Sequence, residues 1–510
     1  MRFYILIITL GLLLPSCAPT IKVVAKYPSE QKKTEELVKG KGSSGRTVKR
    51  IEYYPNGAKK SEVDIKLSKK YGKYIGYHKN GATAVIGNYA GNQQSGKWIW
   101  TGMTGIIDSV HTYKIGVLNG KTIYYKDGEI HIQKKYNDGK LNGKFVEFYD
   151  NGNKKVTGSY LENLPHGQWL WRNEDKSKER LIHFRMGIKH GNIRVWNDGF
   201  LNLSGEFDND LKTGTWQWYQ SKKQLDSLAT YTNGILDGEF KAWHHNFEPA
   251  VIGSFRQGNP HGEWRWWSEN KTPDSLKTYS HGRLNGLVAF YYNNGQLKRS
   301  AYYQTDMLHG IAQSYFASGQ IKTKISYQTG QKMGPYEKWS SSAIPEEMGS
   351  YAHDKLNGIV ERWYTTGASA SISMYDEGVL NGVMKVYSLS NVLKRELFYE
   401  KGKQTVRFEY HDNGRFKMVS ILKDAEPIYE RNWNALGVET TDEKYIVGTS
   451  LKSEFYLSGF LKYECTYKRG GKHGVEWWFD ERHEPTQINI YYLGEKILSQ
   501  DLLGNDETSK

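Results

Sequence analysis

Side chains capable of chemistry are scattered through this sequence, and their spacing decides what they can do. Five histidines stand directly before a glycine that recurs about every 24 residues: His166, His190, His261, His309 and His473. A metal centre needs ligands about 2 Å from one shared ion. The same slot is held elsewhere by Asn119, Asn142, Asp237, Asn285 and Asn357, so turn chemistry explains the histidines. Gly40-Lys41-Gly42-Ser43-Ser44-Gly45 has G-x-G-x-x-G spacing, but no apolar strand leads into it and no helix follows, as nucleotide binding requires. The sequence has no Cys pair, H-E-x-x-H or G-x-S-x-G. Carboxylates such as Glu361 and Glu409 have no assignable partner and read as solvated strand faces. Catalysis, metal and cofactor are therefore not expected. What remains is rings. Trp264-Arg265-Trp266-Trp267 is the densest cluster, and Trp216 and Trp218 form a second. Trp, Tyr and Arg dominate protein interfaces; exposed Trp and Tyr can also stack on sugars.

The other reactive group is Cys17. Arg2 precedes a 12-residue apolar run, Phe3–Leu14, too short to span a bilayer, which takes about 20 residues. Leu14-Pro15-Ser16-Cys17 then resembles a bacterial lipobox, in which the Cys is diacylated and becomes the new N-terminus. The alternative is a plain secretory signal with an incidental Cys. Two acyl chains suffice for stable anchoring. The expectation is a signal peptide over 1–16, a lipid anchor and flexible tether over 17–45, and a bacterial envelope location. By lipoprotein sorting rules, Ala18 and Pro19 favour the outer membrane. With Cys17 acylated, only Cys465 is left, so no intrachain disulfide forms and Cys465 reads as a buried strand residue.

Composition narrows the class. The chain has 510 residues, 14% aromatic, with 53 Gly and only 12 Pro. Many rings argue against disorder, and many glycines with few aliphatics argue for short strands and tight turns. The net charge is +15, which suits an acidic partner or anionic surface, while an exported chain excludes nucleic acid as a partner.

A repeat organises the rest. Glycines recur at Gly96, Gly120, Gly143, Gly167, Gly191, Gly214, Gly238, Gly262, Gly286, Gly310, Gly334, Gly358 and Gly382, 24 residues apart except for two intervals of 23. The register extends back to Gly72 and Val48 and forward to Val406, Ile428, Ser450 and Gly474. Five residues after the anchor stands an aromatic (Tyr77, Trp267, Trp339), with Thr101, Arg172 and His411 as exceptions. Seven before it stands Tyr or Phe (Tyr89, Phe207, Tyr303), and four before it Gly, Asn or Asp. Asn-Gly pairs such as Asn56-Gly57 and Asn151-Gly152 mark a second turn. Runs of five to seven residues between the turns are strand-length. Each unit is thus a β-hairpin. Hairpins stacked edge to edge advance about 10 Å per unit, so the histidines of successive units cannot share an ion. Strict alternation puts the second and fifth residues after the anchor on opposite faces. Either a bulge intervenes or both faces carry rings.

The pattern, as in GKLNGKFVEFYDNGNKKVTGSY from Gly139, resembles the bacterial MORN-type repeat, in particular that of YwqK-like antitoxin proteins. The resemblance covers nearly 90% of the chain. It implies an all-β, elongated, twisted antiparallel sheet of about 19 stacked hairpins, with protein or lipid contacts and no catalysis. Regular repeats are expected over 46–400, degenerate repeats or a cap over 401–498, and a disordered tail over 499–510. The expected function is a non-enzymatic, lipid-anchored envelope scaffold binding a protein partner, with toxin immunity one version of it. The alternatives are a cell-wall glycan binder using Trp and Tyr platforms, and a peripheral membrane binder.

Overall fold

The computed structural model describes residues 18–40, 44–222, 224–440, 448–482 and 485–501. The expected signal peptide, the acylation site Cys17 and residues 502–510 of the expected tail lie outside the described residues. Every named element is a β-strand, and the fold is all-β and antiparallel. The chain divides into two compact units, one of Met1–Glu248 and Phe255–Gly258, the other of Pro249–Ser254 and Asn259–Lys510.

In the first unit, each repeat is an outgoing strand that carries the anchor glycine and a return strand that pairs with it. In the Gly96 repeat these are Gln93–Thr101 and Ile107–Lys114, with Gly96 opposite Tyr113. The return strand then pairs with the next outgoing strand, Ile123 facing Val110. An isolated hairpin is marginal in water; here each one lends its free edge to the next.

The two turns differ in construction. At the junction, two successive residues take left-handed backbone, Asp138 (φ 49°) and Gly139 (φ 81°), the signature of a two-residue hairpin turn whose twist matches the strands. At the opposite tip only the glycine of Asn-Gly is left-handed, as at Gly57 (φ 83°). Gly57 N–H donates to Tyr54 O and Ala58 N–H to Asn56 Oδ1. The Asn-Gly pairs therefore make a wider turn, with the Asn side chain holding it shut.

The open question of the faces resolves both ways. One extra residue does bulge the ladder, but it lies in the return strand: Gly76 pairs with Val85 and Tyr77 with Thr83, leaving Ala84 over. A second shift falls at the anchor, where Ile86 pairs with Ile99 but Asn88 with Ser95; from the second to the fifth position the outgoing strand alternates without interruption, so both faces carry rings.

Residues 20–39 depart from the expected tether. Thr20–Lys26 and Lys32–Lys39 form a further hairpin, whose second strand pairs with Arg46–Tyr53. Its charges are engaged rather than solvated. Arg50 pairs with Glu36 at 2.8 Å, and buried Glu35 pairs with Lys32 and accepts from Tyr53 Oη. Left-handed backbone at its tip falls on Glu30, so no Asn-Gly marks it.

In the second unit the regular repeats continue until the chain changes face. The anchor read at Val406 belongs at Thr405: Val406 pairs with Ile421, so Thr405 stands opposite Leu422, at the 17-residue spacing that places Gly382 opposite Tyr399. The fifth residue is then Tyr410, not His411. From here the first and third positions turn apolar. Val406, Phe408, Tyr429, Val475 and Trp477 join Val419, Ile421, Ile488 and Ile490 in one buried cluster. It lies between the strands Lys403–Tyr410, Phe416–Lys423 and Glu426–Asn432 and a separate five-stranded sheet from Thr449 to Asp501. The expected cap over 401–498 is thus a small two-sheet sandwich. Its last strand, Glu495–Asp501, includes the first residues of the expected tail. Cys465 is buried there, and burial pushes its thiol pKa up.

Trp477 closes this sandwich, with its ring 4.8 Å from Phe416 and 6.4 Å from Trp433. Trp477→Ala should cost about 3–5 kcal/mol locally. Hydrogen exchange should speed up in 403–432 and 461–492 while the Gly334 repeat keeps its protection. Uniform loss along the chain would contradict a separate core.

Candidate functional site

The candidate site is the sheet face carrying the second and fourth residues after each anchor. Its unit of construction is one indole over one glycine. Trp98 lies on Gly87 of the preceding strand; a Cβ there would stand 2.2 Å from the indole. Trp98 Nε1–H donates to Asn88 O at 3.1 Å, Tyr89 meets the ring edge-on at 4.9 Å, and Tyr113 closes the far side at 6.3 Å. Trp169 repeats this with Gly158, Ser159 O, Tyr160 and Phe184. Trp216 repeats it with Gly205, Glu206 O, Phe207 and Tyr231. In the second unit Trp264 sits on Gly253, bonds Ser254 O at 3.0 Å and meets Tyr279. These four indoles are 2–6% exposed. Edge-to-face pairs of this kind add roughly 0.5–1.5 kcal/mol each beyond burial.

The expected binding residues therefore divide. Trp216 and Trp264 are core, too covered to act as open sugar platforms. Trp218 and Trp266 are half-buried beside them, at 6.3 and 5.8 Å. The cluster Trp264-Arg265-Trp266-Trp267 is split by strand alternation. Trp264 and Trp266 share one face, while exposed Arg265, paired with Glu263, and half-buried Trp267 take the other. The first-unit and second-unit Trp pairs are separate features.

Residues not singled out from sequence complete the face. Lys212 Nζ stands 4.4 Å from the Trp216 ring, 4.8 Å from Tyr231 and 5.7 Å from Trp218. Arg180 lies 4.5 Å over Trp171, and Lys277 5.1 Å over Trp266. Farther along, Glu347 gathers Lys338, Arg362 (each 2.8 Å) and Tyr336 Oη (3.0 Å). Burial alone would raise its carboxyl, but these partners outweigh burial and hold it below the usual range.

The opposite face carries the fifth-position rings. Tyr77 Oη donates to Glu62 at 2.9 Å; burial first, then the hydrogen bond to Glu62 and its charge, push the phenol up to about 12. Two of the histidines before the anchors serve turns: His166 Nδ1 and His473 Nδ1 accept from Met186 and Leu493 N–H at the next junction, while His190 contacts Asp208 and His261 meets the His281 ring. Among the described residues no group of three or more His, Cys, Asp or Glu could hold a metal ion. At the tips, Tyr54, Tyr149, Tyr292 and Tyr364 each reach 23 residues on, to the carbonyl of the next repeat, at 2.8 Å.

Residues 141–162, 284–305 and 308–329 match the MORN repeat variant, which supports a MORN-repeat protein. No curated protein matches the chain. Among solved structures, the TcdB2–TccC3–Cdc42 complex is 10% identical, with 93% of this chain and 28% of that one covered and a TM-score of 0.14. The Tc holotoxin pore of Photorhabdus luminescens gives 10%, 93%, 26% and 0.14. The chain spans less than a third of the length of either, and likeness at this level says nothing about what it binds.

Two outcomes follow from this geometry. Gly158→Ala drives a methyl into Trp169 and should cost about 1–3 kcal/mol, visible as a lower midpoint and reddened Trp emission; Gly139→Ala, with nothing within 4 Å of its Cβ, should leave that emission unchanged. The Tyr77 phenol binds its proton more tightly folded (about 12) than at its ordinary 10.0. Its contribution is intact below about pH 10 and is lost as pH rises toward 12. In Tyr77→Phe that alkaline loss should shrink in thermal melts; an unchanged slope would reject the assignment.

Proposed function

We propose that this chain is a non-enzymatic envelope scaffold that binds an acidic protein partner on its ring-lined sheet face. The observation that carries this reading is the set of cations held over buried and half-buried rings, above all Lys212 over buried Trp216 and half-buried Trp218 and Tyr231. Rings with a cation above them combine the residue types favoured in interface hot spots. Their charge selects carboxylates and raises encounter rates with an acidic partner. The face is built once and repeated, so a long partner can be read by successive hairpins without any one contact being strong. Coverage of Trp216 and Trp264 weighs against sugar stacking.

In this reading Cys17 carries the lipid anchor and the scaffold works at the bacterial envelope, at the outer membrane by its Ala18-Pro19 context. Neutralising a secreted toxin is one role such a surface would fill. Cys17→Ala should move the protein from the membrane fraction to the soluble one; retention on the membrane would reject the anchor.

The binding reading is tested with a form starting at residue 18, used as bait in envelope extract. A defined protein should be retained, and Arg180→Glu with Lys212→Glu should cut recovery at least about tenfold. Retention only on peptidoglycan or polysaccharide, or recovery indifferent to those reversals, would sink it.

A further inference from the structure

Several repeats of the second unit lack a ring at the second position after the anchor, Val360 and Met384 among them, and the smallest residue falls at Ala312. The second position after the anchor is Val288 in the Gly286 repeat and Ala312 in the Gly310 repeat, where its neighbours carry Trp264 and Tyr336. Tyr303 and Tyr327 still occupy the positions that clasp an indole edge-on elsewhere, but the slot glycine is replaced by Ala301. Ser314, at the fourth position, is small as well. The result is a cavity of about 230 Å³ lined by Phe290, Tyr303, Leu308, Ala312, Ile325 and Tyr327, among others. That exceeds the roughly 150 Å³ space that takes up benzene in another protein. The backbone carbonyl ten residues before the ring position, which accepts the indole N–H at Asn88, Ser159 and Ser254, is here that of Tyr302.

The rim is charged with one sign. Arg299 lines the cavity and lies 4.0 Å over Phe290, and Lys277 stands 5.9 Å from the same ring. No lining residue is a carboxylate. Among the described residues neither cation has an ion-pair partner.

We infer that this niche is a receptor for one aromatic side chain of a protein partner, Trp in the first place, flanked in its own sequence by carboxylates. The chain's own repeats are the template. Where Trp98, Trp169 and Trp264 fill the site from within, the Ala312 repeat leaves it to be filled from outside. Tyr303 and Tyr327 meet the incoming ring, which the Ala301 methyl holds above the level of an inbuilt indole, and Arg299 and Lys277 take the adjacent acids. The inference rests on the reading of the chain as a protein-binding scaffold and names what that partner presents.

The probes are acetyl-Asp-Trp-Asp-amide, acetyl-Lys-Trp-Lys-amide and acetyl-Asp-Leu-Asp-amide, titrated against the residue-18 form by NMR. The first should bind at least about tenfold more tightly than the others and shift the Tyr303 and Tyr327 ring signals. Ala301→Gly with Ala312→Trp restores the glycine–indole pair from within and should abolish that binding. Arg299→Gln, which removes the charge from the rim, should erase the preference for the acidic peptide. Equal binding of the three peptides, binding indifferent to Arg299→Gln, undiminished binding by a folded filled variant, or preference for a neutral oligosaccharide would each overturn the niche. Peptide binding with no partner recovered from envelope extract would overturn the scaffold reading while upholding the niche; partner recovery without peptide binding would overturn the niche alone.

Discussion

A two-stranded hairpin cannot bury an indole by itself, and everything else in this molecule answers to that limit. Each of Trp98, Trp169, Trp216 and Trp264 lies on a glycine of the strand before it, gives its N–H to that strand's backbone, and is closed by a ring of the strand after it. The contact is available only if one strand supplies no Cβ and its neighbours on both sides are in register. Ladder hydrogen bonds hold the strands together, but they do not choose a register; the indole in its glycine slot does. The rings are thus less a decoration of the sheet than the part that makes neighbouring hairpins commit to one alignment.

Much of this was readable in advance, and the failures have physical causes. Hairpin repeats, both turn positions and the ring columns follow from period-24 glycines and period-two aromatics, while the strands, such as Gln93–Thr101 and Ile107–Lys114, run longer than the five to seven residues expected because the ladder continues into the turn-flanking polar residues. The slot glycines Gly87, Gly158, Gly205 and Gly253 escaped notice because attention fell on glycines in turns. The signal was a Gly 11 residues before each of four Trp, at positions with ordinary strand backbone. The faces could not be assigned because the bulge sits in the return strand, where no ring marks it. The hairpin over 20–39 was hidden by its charges and by a tip of Pro28-Ser29-Glu30. The cluster at Trp264–Trp267 looked like one site only because adjacency in sequence hides alternation in space.

The two ways of burying rings carry different consequences. Along the regular repeats a single layer of strands covers its indoles with glycine slots, edge-on phenols and overlying cations, and leaves the fourth-position rings half open. After Thr405 the opposite face takes over, and two sheets bury Phe408, Tyr429 and Trp477 between them. The first arrangement keeps a surface that can engage something; the second hides its rings for good. The Ala312 niche belongs to the first kind and exists because two successive repeats carry the small residues Val288 and Ala312 where Trp264 and Tyr336 stand on either side.

Tyr54, Tyr149, Tyr292 and Tyr364 each tie a hairpin tip to the tip one module ahead and no farther. Stability is then a sum of local terms and nearest-neighbour couplings, as in a one-dimensional chain of spins. Whole modules can be gained or lost by recombination without rewriting any seam, provided the cut respects the period. Length in such a molecule is an evolvable quantity, adjustable to the reach its task demands, in a way that no globular core permits.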